Sequence, residues 1–236
     1  MSDFAVYMEQ ALKQNGQERF TPKLSAFEGL ARLLQQANER MNLTAITDDA
    51  GIAYLHVADC LMAEAYLPVG ARLADVGCGG GFPTLPLAIA RPDLAITAID
   101  STAKKLGFVS ETAAALGLCG VSTLPARAEA VGRGPLRGGF DAVCARAVAA
   151  LPVLLELCVP LLKCGGRFVA LKGKTGGQEL AQAKGALSAL GCSARMVEYT
   201  LQGPSPQARS LIIVTKEEKT APVYPRDYAK IVKKPL

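Results

Sequence analysis

The sequence predicts an α/β fold: a mostly parallel sheet of seven strands that ends in an antiparallel hairpin and follows a helical extension. From residue 70 onward, short apolar runs alternate with helix-length segments, which is the pattern of a parallel sheet with helices on both faces. The last two strand-like runs are separated by a short loop containing Gly203, Pro204 and Pro206, which implies a hairpin. Before residue 70 the apolar residues recur at helical spacing.

In chain order, residues 3–14 place Phe4, Tyr7, Met8 and Leu12 on one helical face. Thr21-Pro22 is a helix start, and the run to Met41 puts Leu24, Phe27, Leu30, Leu34 and Ala37 on one stripe. Asn42-Leu43-Thr44-Ala45-Ile46-Thr47 breaks that helix, and Asp48 or Asp49 can cap another over residues 51–66 that carries His56 and Asp59. Strands are predicted at 72–76, 94–100, 120–124, 140–145, 167–171, 195–201 and 210–215. Helices are predicted at 83–90, 102–116, 127–131, 150–163 and 177–190. The lysine- and proline-bearing tail after Lys216 is expected to be poorly ordered at its end.

Composition narrows the function. The chain has 236 residues, half of them hydrophobic, which suits one large domain or one domain with an extension. No apolar run approaches the roughly 18 residues of a membrane span. Met1-Ser2-Asp3-Phe4 lacks a signal-peptide pattern, so a cytoplasmic location is expected. A net charge of +5 permits nucleic-acid binding without demanding it. The seven cysteines form no C-x-x-C pair, sit mostly in apolar segments and read as reduced core residues. With one histidine in the chain, a metal site is not expected.

The stretch around which the chain is organised is Arg72-Leu73-Ala74-Asp75-Val76-Gly77-Cys78-Gly79-Gly80-Gly81-Phe82-Pro83. It reads as a strand, an acid, a glycine turn and a helix start, which brings backbone N–H groups to the carboxyl edge of a sheet. The G-x-G-x-x-G spacing of a dinucleotide site fails in both registers, at Phe82 and at Thr84. The spacing that fits is D-x-G-x-G-x-G, with Asp75 two residues before Gly77. A carboxylate there repels a pyrophosphate but suits a ligand with an ammonium and a sulfonium, which S-adenosylmethionine carries. Four glycines in five residues weaken packing unless something must come close. Asp100 ends the next strand, where an acid can meet ribose hydroxyls, and it can also cap the following helix together with Ser101 or Thr102. Parallel strands closed by a terminal hairpin are the sheet order of class I methyltransferases.

The ordered set of motifs resembles one family, the bacterial 16S rRNA guanine-N7 methyltransferases, also called glucose-inhibited division protein B. The matching pieces are Asn42-Leu43-Thr44, His56-x-x-Asp59, the Asp75–Pro83 turn, Asp100-Ser101 with Lys104-Lys105 and Phe108, Arg127-Ala128-Glu129, Ala145-Arg146-Ala147, Leu171-Lys172-Gly173 and Arg209. The likeness runs from Asn42 to Lys216, and the tail shares Pro225-Arg226 and Lys233-Lys234-Pro235-Leu236. Cys60, Cys78 and Thr84 depart from the family pattern, as does Asp227-Tyr228 in the tail.

The resemblance implies a Rossmann-like class I S-adenosylmethionine-dependent methyltransferase domain over residues 71–216, behind a helical extension over 1–70 and before a basic tail over 217–236. It implies methyl transfer from S-adenosyl-L-methionine to N7 of a guanine in 16S rRNA, with the RNA or the small ribosomal subunit as partner. The expected cofactor-binding residues are Asp75, Gly77, Gly79, Phe82, Asp100, Ser101, Ala128, Glu129 and Arg146. Arg146, at the end of the fourth strand, is the candidate catalytic residue; its bland alternative is a surface arginine pairing with Asp141 or Glu156. Lys104, Arg127, Lys172 and Arg209 are candidates for gripping RNA phosphates. His56 and Asp59, one helical turn apart, are expected to pair with each other and pin the N-terminal helices over the site; the alternative is that they shape the base pocket. A monomer without membrane or metal is the default expectation.

Two other functions stay open on the sequence. A methyltransferase for a small molecule or a protein would not need the basic set Arg127, Arg146, Lys172 and Arg209. A non-catalytic RNA-binding module would be expected to have lost Asp75, the glycines or Asp100, and the 6% aromatic content gives it no stacking platform.

Overall fold

The computed structural model describes residues 2–236. Five parallel strands, β1 (Arg72–Val76), β2 (Ala95–Asp100), β3 (Val121–Pro125), β4 (Phe140–Arg146) and β5 (Leu162–Lys172), join a terminal hairpin of β6 (Cys192–Leu201) and β7 (Gln207–Lys216). The sheet order is β3-β2-β1-β4-β5-β7-β6, with β7 antiparallel to both neighbours. Strand order reverses direction at β1, so the crevice between the ends of β1 and β4 is where such a sheet takes its ligand. Register aligns Asp75 with Cys144, Asp100 with Pro125 and Arg146 with Leu171, which gathers Asp75, Asp100, Arg146 and Lys172 at one edge.

Before the sheet come α1 (Asp3–Gln14), a 3₁₀ turn at Glu18–Lys23 and α2 (Leu24–Met41), which ends where Asn42 takes φ 48°. Thr21-Pro22 therefore lies in the 3₁₀ turn rather than at a helix start, and α2 begins at Leu24. Next, α3 (Asp49–Gly51), a π-helical stretch (Ile52–Ala58) and α4 (Asp59–Leu61) run on as one helix. The π stretch carries His56, and wide turns of this kind occur frequently at functional sites. Within the sheet domain lie α5 (Thr84–Ala90), α6 (Ala103–Ala115), α7 (Ala128–Arg133), α8 (Leu151–Cys158), α9 (Gly176–Gln182) and α10 (Lys184–Ala189). The helix predicted at 177–190 breaks at Ala183, and that at 150–163 stops before Pro160, which cannot donate a backbone hydrogen bond.

Alternation along β1 fixes the two faces: Leu73 and Ala74 point to different cores. The N-terminal helices bury Phe27, Leu30, Leu34, Ile52 and Val57 against Leu85, Ile89 and Val109 of α5 and α6. The other face packs Leu154 and Leu155 of α8 against Phe168, Ile212 and Val214. The hairpin strands are longer than predicted, because pairing runs from Cys192 with Lys216 to Leu201 with Gln207.

The tail is ordered against the sheet domain, contrary to expectation. Its helix α11 (Tyr228–Lys233) buries Ile231 completely against the α8 core, a contribution of about 1.5–3 kcal/mol. Arg226 makes two side-chain bonds to Glu156, at 2.8 and 2.6 Å, and Glu156 is fully buried. The short polar tail gives little apolar periodicity, so the sequence conceals both anchors.

Candidate active site

At the carboxyl edge of the sheet a cleft of about 410 Å³ opens over the glycine turn. Gly77, at φ +73°, would place a Cβ 2.6 Å from Val148, so only glycine fits the turn beneath that side chain. At Gly79, φ +54°, a Cβ would meet no protein atom nearer than 4.0 Å and would project into the cleft itself. The turn is thus closed on the protein side and left bare on the ligand side, which fits a bound cofactor.

Asp100 ties that turn: its carboxylate accepts from the Gly79 N–H at 3.0 Å and from the Thr102 N–H at 2.8 Å. It also lines the cleft, beside Ser101, Arg127, Ala128 and Glu129. Both sequence readings of Asp100 are thus compatible, since a carboxylate has about four acceptor positions. On the far side of β1, the cleft is lined by Phe82, Thr44, His56 and Arg146.

Asp75 stands differently from its expected place. It is 1% exposed, lies beneath the turn and is not among the cleft-lining residues. One carboxylate oxygen accepts from the Thr84 N–H at 3.1 Å and hydroxyl at 2.6 Å, pinning the start of α5; the other has no partner. Burial pushes its pKa up to about 6. Lys104 also stays outside the cleft, which Lys105 lines instead, because successive helical residues point about 100° apart.

Arg146 has neither alternative partner considered from sequence. Asp141 pairs with Lys163 and Glu156 with Arg226, whereas the Arg146 guanidinium faces inward. It donates to the Leu55 carbonyl at 2.9 Å and to His56 Nδ1 at 3.1 Å, lies 3.5 Å from Asp59, and sits 5.5 Å from the centre of the Phe82 ring. His56 and Asp59 therefore do not pair with each other; both converge on Arg146. The His56 ring stacks on Phe82 with centroids 4.5 Å apart. Burial, and then the Arg146 charge, push its pKa down to about 4, so the ring is neutral at pH 7.

A second cavity, about 640 Å³, shares Arg146 with the cleft and adds Lys172 and Arg209. Lys172 is already engaged, with Glu179 and the Ala149 carbonyl each at 2.7 Å. Arg209 Nε lies 3.6 Å from Asp59 and has no hydrogen-bond partner. Sequence reasoning placed neither Thr44 nor Tyr228 in the cleft, and gave His56 a pocket-shaping role only as the alternative to pairing with Asp59; all three line it, Tyr228 from α11. The one available signal was His56 as the lone histidine within an otherwise apolar run.

Burial holds the Cys60 thiol up at about 12 and raises that of Cys78 further, so neither is a nucleophile. Among the described residues no cluster of ligating side chains could hold a metal ion, and no helix is long and apolar enough to cross a membrane.

The sheet order and the glycine-turn cleft define a class I methyltransferase fold. Two solved structures share it: the Bacillus cereus O-methyltransferase in complex with SAH, at TM-score 0.56 and 16% identity over 79% of this chain and 90% of that one, and the Streptomyces achromogenes O-methyltransferase TomG in complex with SAM, at TM-score 0.55 and 21% identity over 80% and 90%. Residues 23–211 match the GidB family, rRNA small subunit methyltransferase G, and the chain belongs to that family. A ribosomal RNA small subunit methyltransferase G of Lactobacillus delbrueckii subsp. bulgaricus is 42% identical over 215 residues, covering 89% of this chain and 90% of the relative. One from an Exiguobacterium species is 42% identical over 230 residues, covering 96% and 97%.

Proposed function

We propose that the chain transfers a methyl group from S-adenosyl-L-methionine to N7 of a guanine in 16S rRNA of the small ribosomal subunit. The observation that supports the choice of atom is that no free base lines the Arg146 end of the cleft: its two lining carboxylates, Asp100 and Glu129, stand on the β2–β3 side with the glycine turn between. His56 has both ring nitrogens engaged and a pKa of about 4, and Asp75 lies beneath the turn, away from the cleft. An attacking hydroxyl or exocyclic amine must lose a proton, which calls for a base. Guanine N7 carries an in-plane lone pair and attacks without losing one.

Bound S-adenosylmethionine supplies an electrophilic methyl on its sulfonium. Gly77, Gly79, Phe82, Asp100, Ser101, Ala128, Glu129 and Arg146 hold it, with Asp75 acting from below by fixing the turn to α5. Asp100 accepts from ribose hydroxyls. Catalysis is positioning: Arg146 stands between cleft and second cavity, and its charge is balanced by Asp59, so it does not repel the cationic product base. Arg127, Arg209 and Lys104 draw in RNA phosphates, while Lys172 shapes the second cavity through Glu179. The helical segment that precedes β1 and the tail that follows β7 complete the cleft with Thr44, His56 and Tyr228.

The test is methyl transfer from labelled cofactor to unmodified small subunits and to their purified rRNA, followed by nucleoside analysis. Label recovered as 7-methylguanosine is expected. Label in a ribose or an exocyclic amine would overturn the assignment of the reacting atom.

A further inference from the structure

Thr44 lines the cleft at the Arg146 end, and its hydroxyl has an unusual set of neighbours. The Ile46 N–H donates to Thr44 Oγ1 at 3.0 Å. His56 Nε2 lies 2.8 Å from the same oxygen. A guanidinium can only donate, so His56 Nδ1 must accept from Arg146, and in the neutral ring the proton then sits on Nε2. Nε2 therefore donates to Thr44 as well. A hydroxyl oxygen has two acceptor positions and one proton. Both acceptor positions are filled, so Thr44 can offer the cleft a donor and nothing else.

We propose that Thr44 is a donor-only ligand for the carboxylate of the methionyl group of S-adenosylmethionine. This rests on the cofactor reading above. The two carboxylates lining the cleft, Asp100 and Glu129, stand on the β2–β3 side of the glycine turn, which suits the ribose and base. Thr44, His56 and Arg146 stand on the β4 side, where Thr44 offers a proton, Arg146 carries a positive charge and no carboxylate lines the cleft. Leu43, next in the chain, packs within 3.4 Å of where a Cβ on Gly80 would be, so the Thr44 loop rests on the turn itself. An anionic acceptor is what this end of the cleft can satisfy. The second cavity, with Lys172 and Arg209, is not lined by Thr44, so its place is with the cofactor rather than with RNA.

The test is calorimetric binding to the purified chain of S-adenosylhomocysteine, its decarboxylated analogue and 5′-methylthioadenosine, which lacks the amino-acid group. Thr44→Val keeps the shape and loses the proton; Thr44→Ser keeps the proton. S-adenosylhomocysteine is expected to bind Thr44→Val about tenfold or more weakly, as for a lost bond to a charged group, and Thr44→Ser nearly as wild type. The other two ligands are expected to bind wild type and Thr44→Val alike. Loss of all three ligands together, or unchanged binding of S-adenosylhomocysteine, would overturn the assignment. Thr44→Ser behaving like Thr44→Val would also overturn it. Failure of the wild type to bind any of the three would overturn the cofactor reading itself.

Discussion

Arg146 at the end of β4 donates to His56 in the π-helical stretch at 3.1 Å, and this contact joins the N-terminal helices to the mouth of the sheet. It fixes the histidine tautomer, holds the ring against Phe82 and leaves the arginine shared between cleft and second cavity. Asp59 supplies the counter-charge at 3.5 Å and accepts from the Tyr199 hydroxyl at 3.0 Å, which extends the network to the hairpin.

Removing Arg146 should therefore cost both activity and stability. Arg146→Ala leaves the buried Asp59 with only Arg209, 3.6 Å away, as counter-charge, and a fall of up to about 3–5 kcal/mol in unfolding free energy is expected from denaturant titration. The double variant Arg146→Ala with Asp59→Asn should recover most of that stability without recovering methyl transfer. Recovery of transfer as well would show that Arg146 acts only through folding.

His56 gives a pH signature. Its pKa falls from 6.5 in the unfolded chain to about 4 in the fold, so the unfolded chain binds the extra proton between those values. Its contribution to stability is complete above pH 6.5 and is lost as pH falls toward 4, by up to about 3 kcal/mol. Asp75 acts with the opposite sign. Its pKa rises from 3.8 to about 6, so the fold holds that proton more tightly and loses the advantage as pH rises through 6. Because the windows overlap, each must be measured against its own variant. Relative to wild type, His56→Gln should gain as pH falls from 6.5 to 4, and Asp75→Asn should gain as pH rises from 4 to 6. Unfolding curves at several pH values check both.

The tail is a structural element as well as a part of the cleft. Arg226→Ala would strand the fully buried Glu156, and Ile231→Ala would open a cavity beside α8. Each should cost about 2–5 kcal/mol in denaturant unfolding. Because Tyr228 lies between them, Arg226→Ala should also weaken cofactor binding.

Salt dependence separates the basic residues. Arg127→Ala should lower the slope of log affinity for RNA against log salt by about 0.7–0.9, and Arg209→Ala by less, because Arg209 shares the Asp59 carboxylate with Arg146. Lys172→Ala should change that slope less, because Glu179 already neutralises the lysine. Filter binding across a salt series reads the difference.

Much of this was legible in the sequence. Alternating apolar runs specify the parallel strands, and the acid and glycines of residues 75–81 specify the turn, because these features depend on local spacing. What side chains do at long range was less legible. Asp75 looks like a ligand-facing acid from its spacing, but strand register turns it beneath the turn toward Thr84. His56 and Asp59 are neighbours on a helix, yet both meet Arg146, far along the chain. The tail anchors through one buried isoleucine and one ion pair, too few residues to make a periodic signal.

The most direct test of the central claim is labelled methyl transfer to small subunits lacking their native modification, with wild type and Arg146→Lys compared and the RNA digested to nucleosides. The account predicts 7-methylguanosine as the labelled product with wild type. It predicts at least a tenfold lower rate with Arg146→Lys, since an ammonium cannot reproduce the guanidinium contacts to Leu55, His56 and Asp59 together. Label in any other nucleoside, or equal rates for the two enzymes, would contradict it.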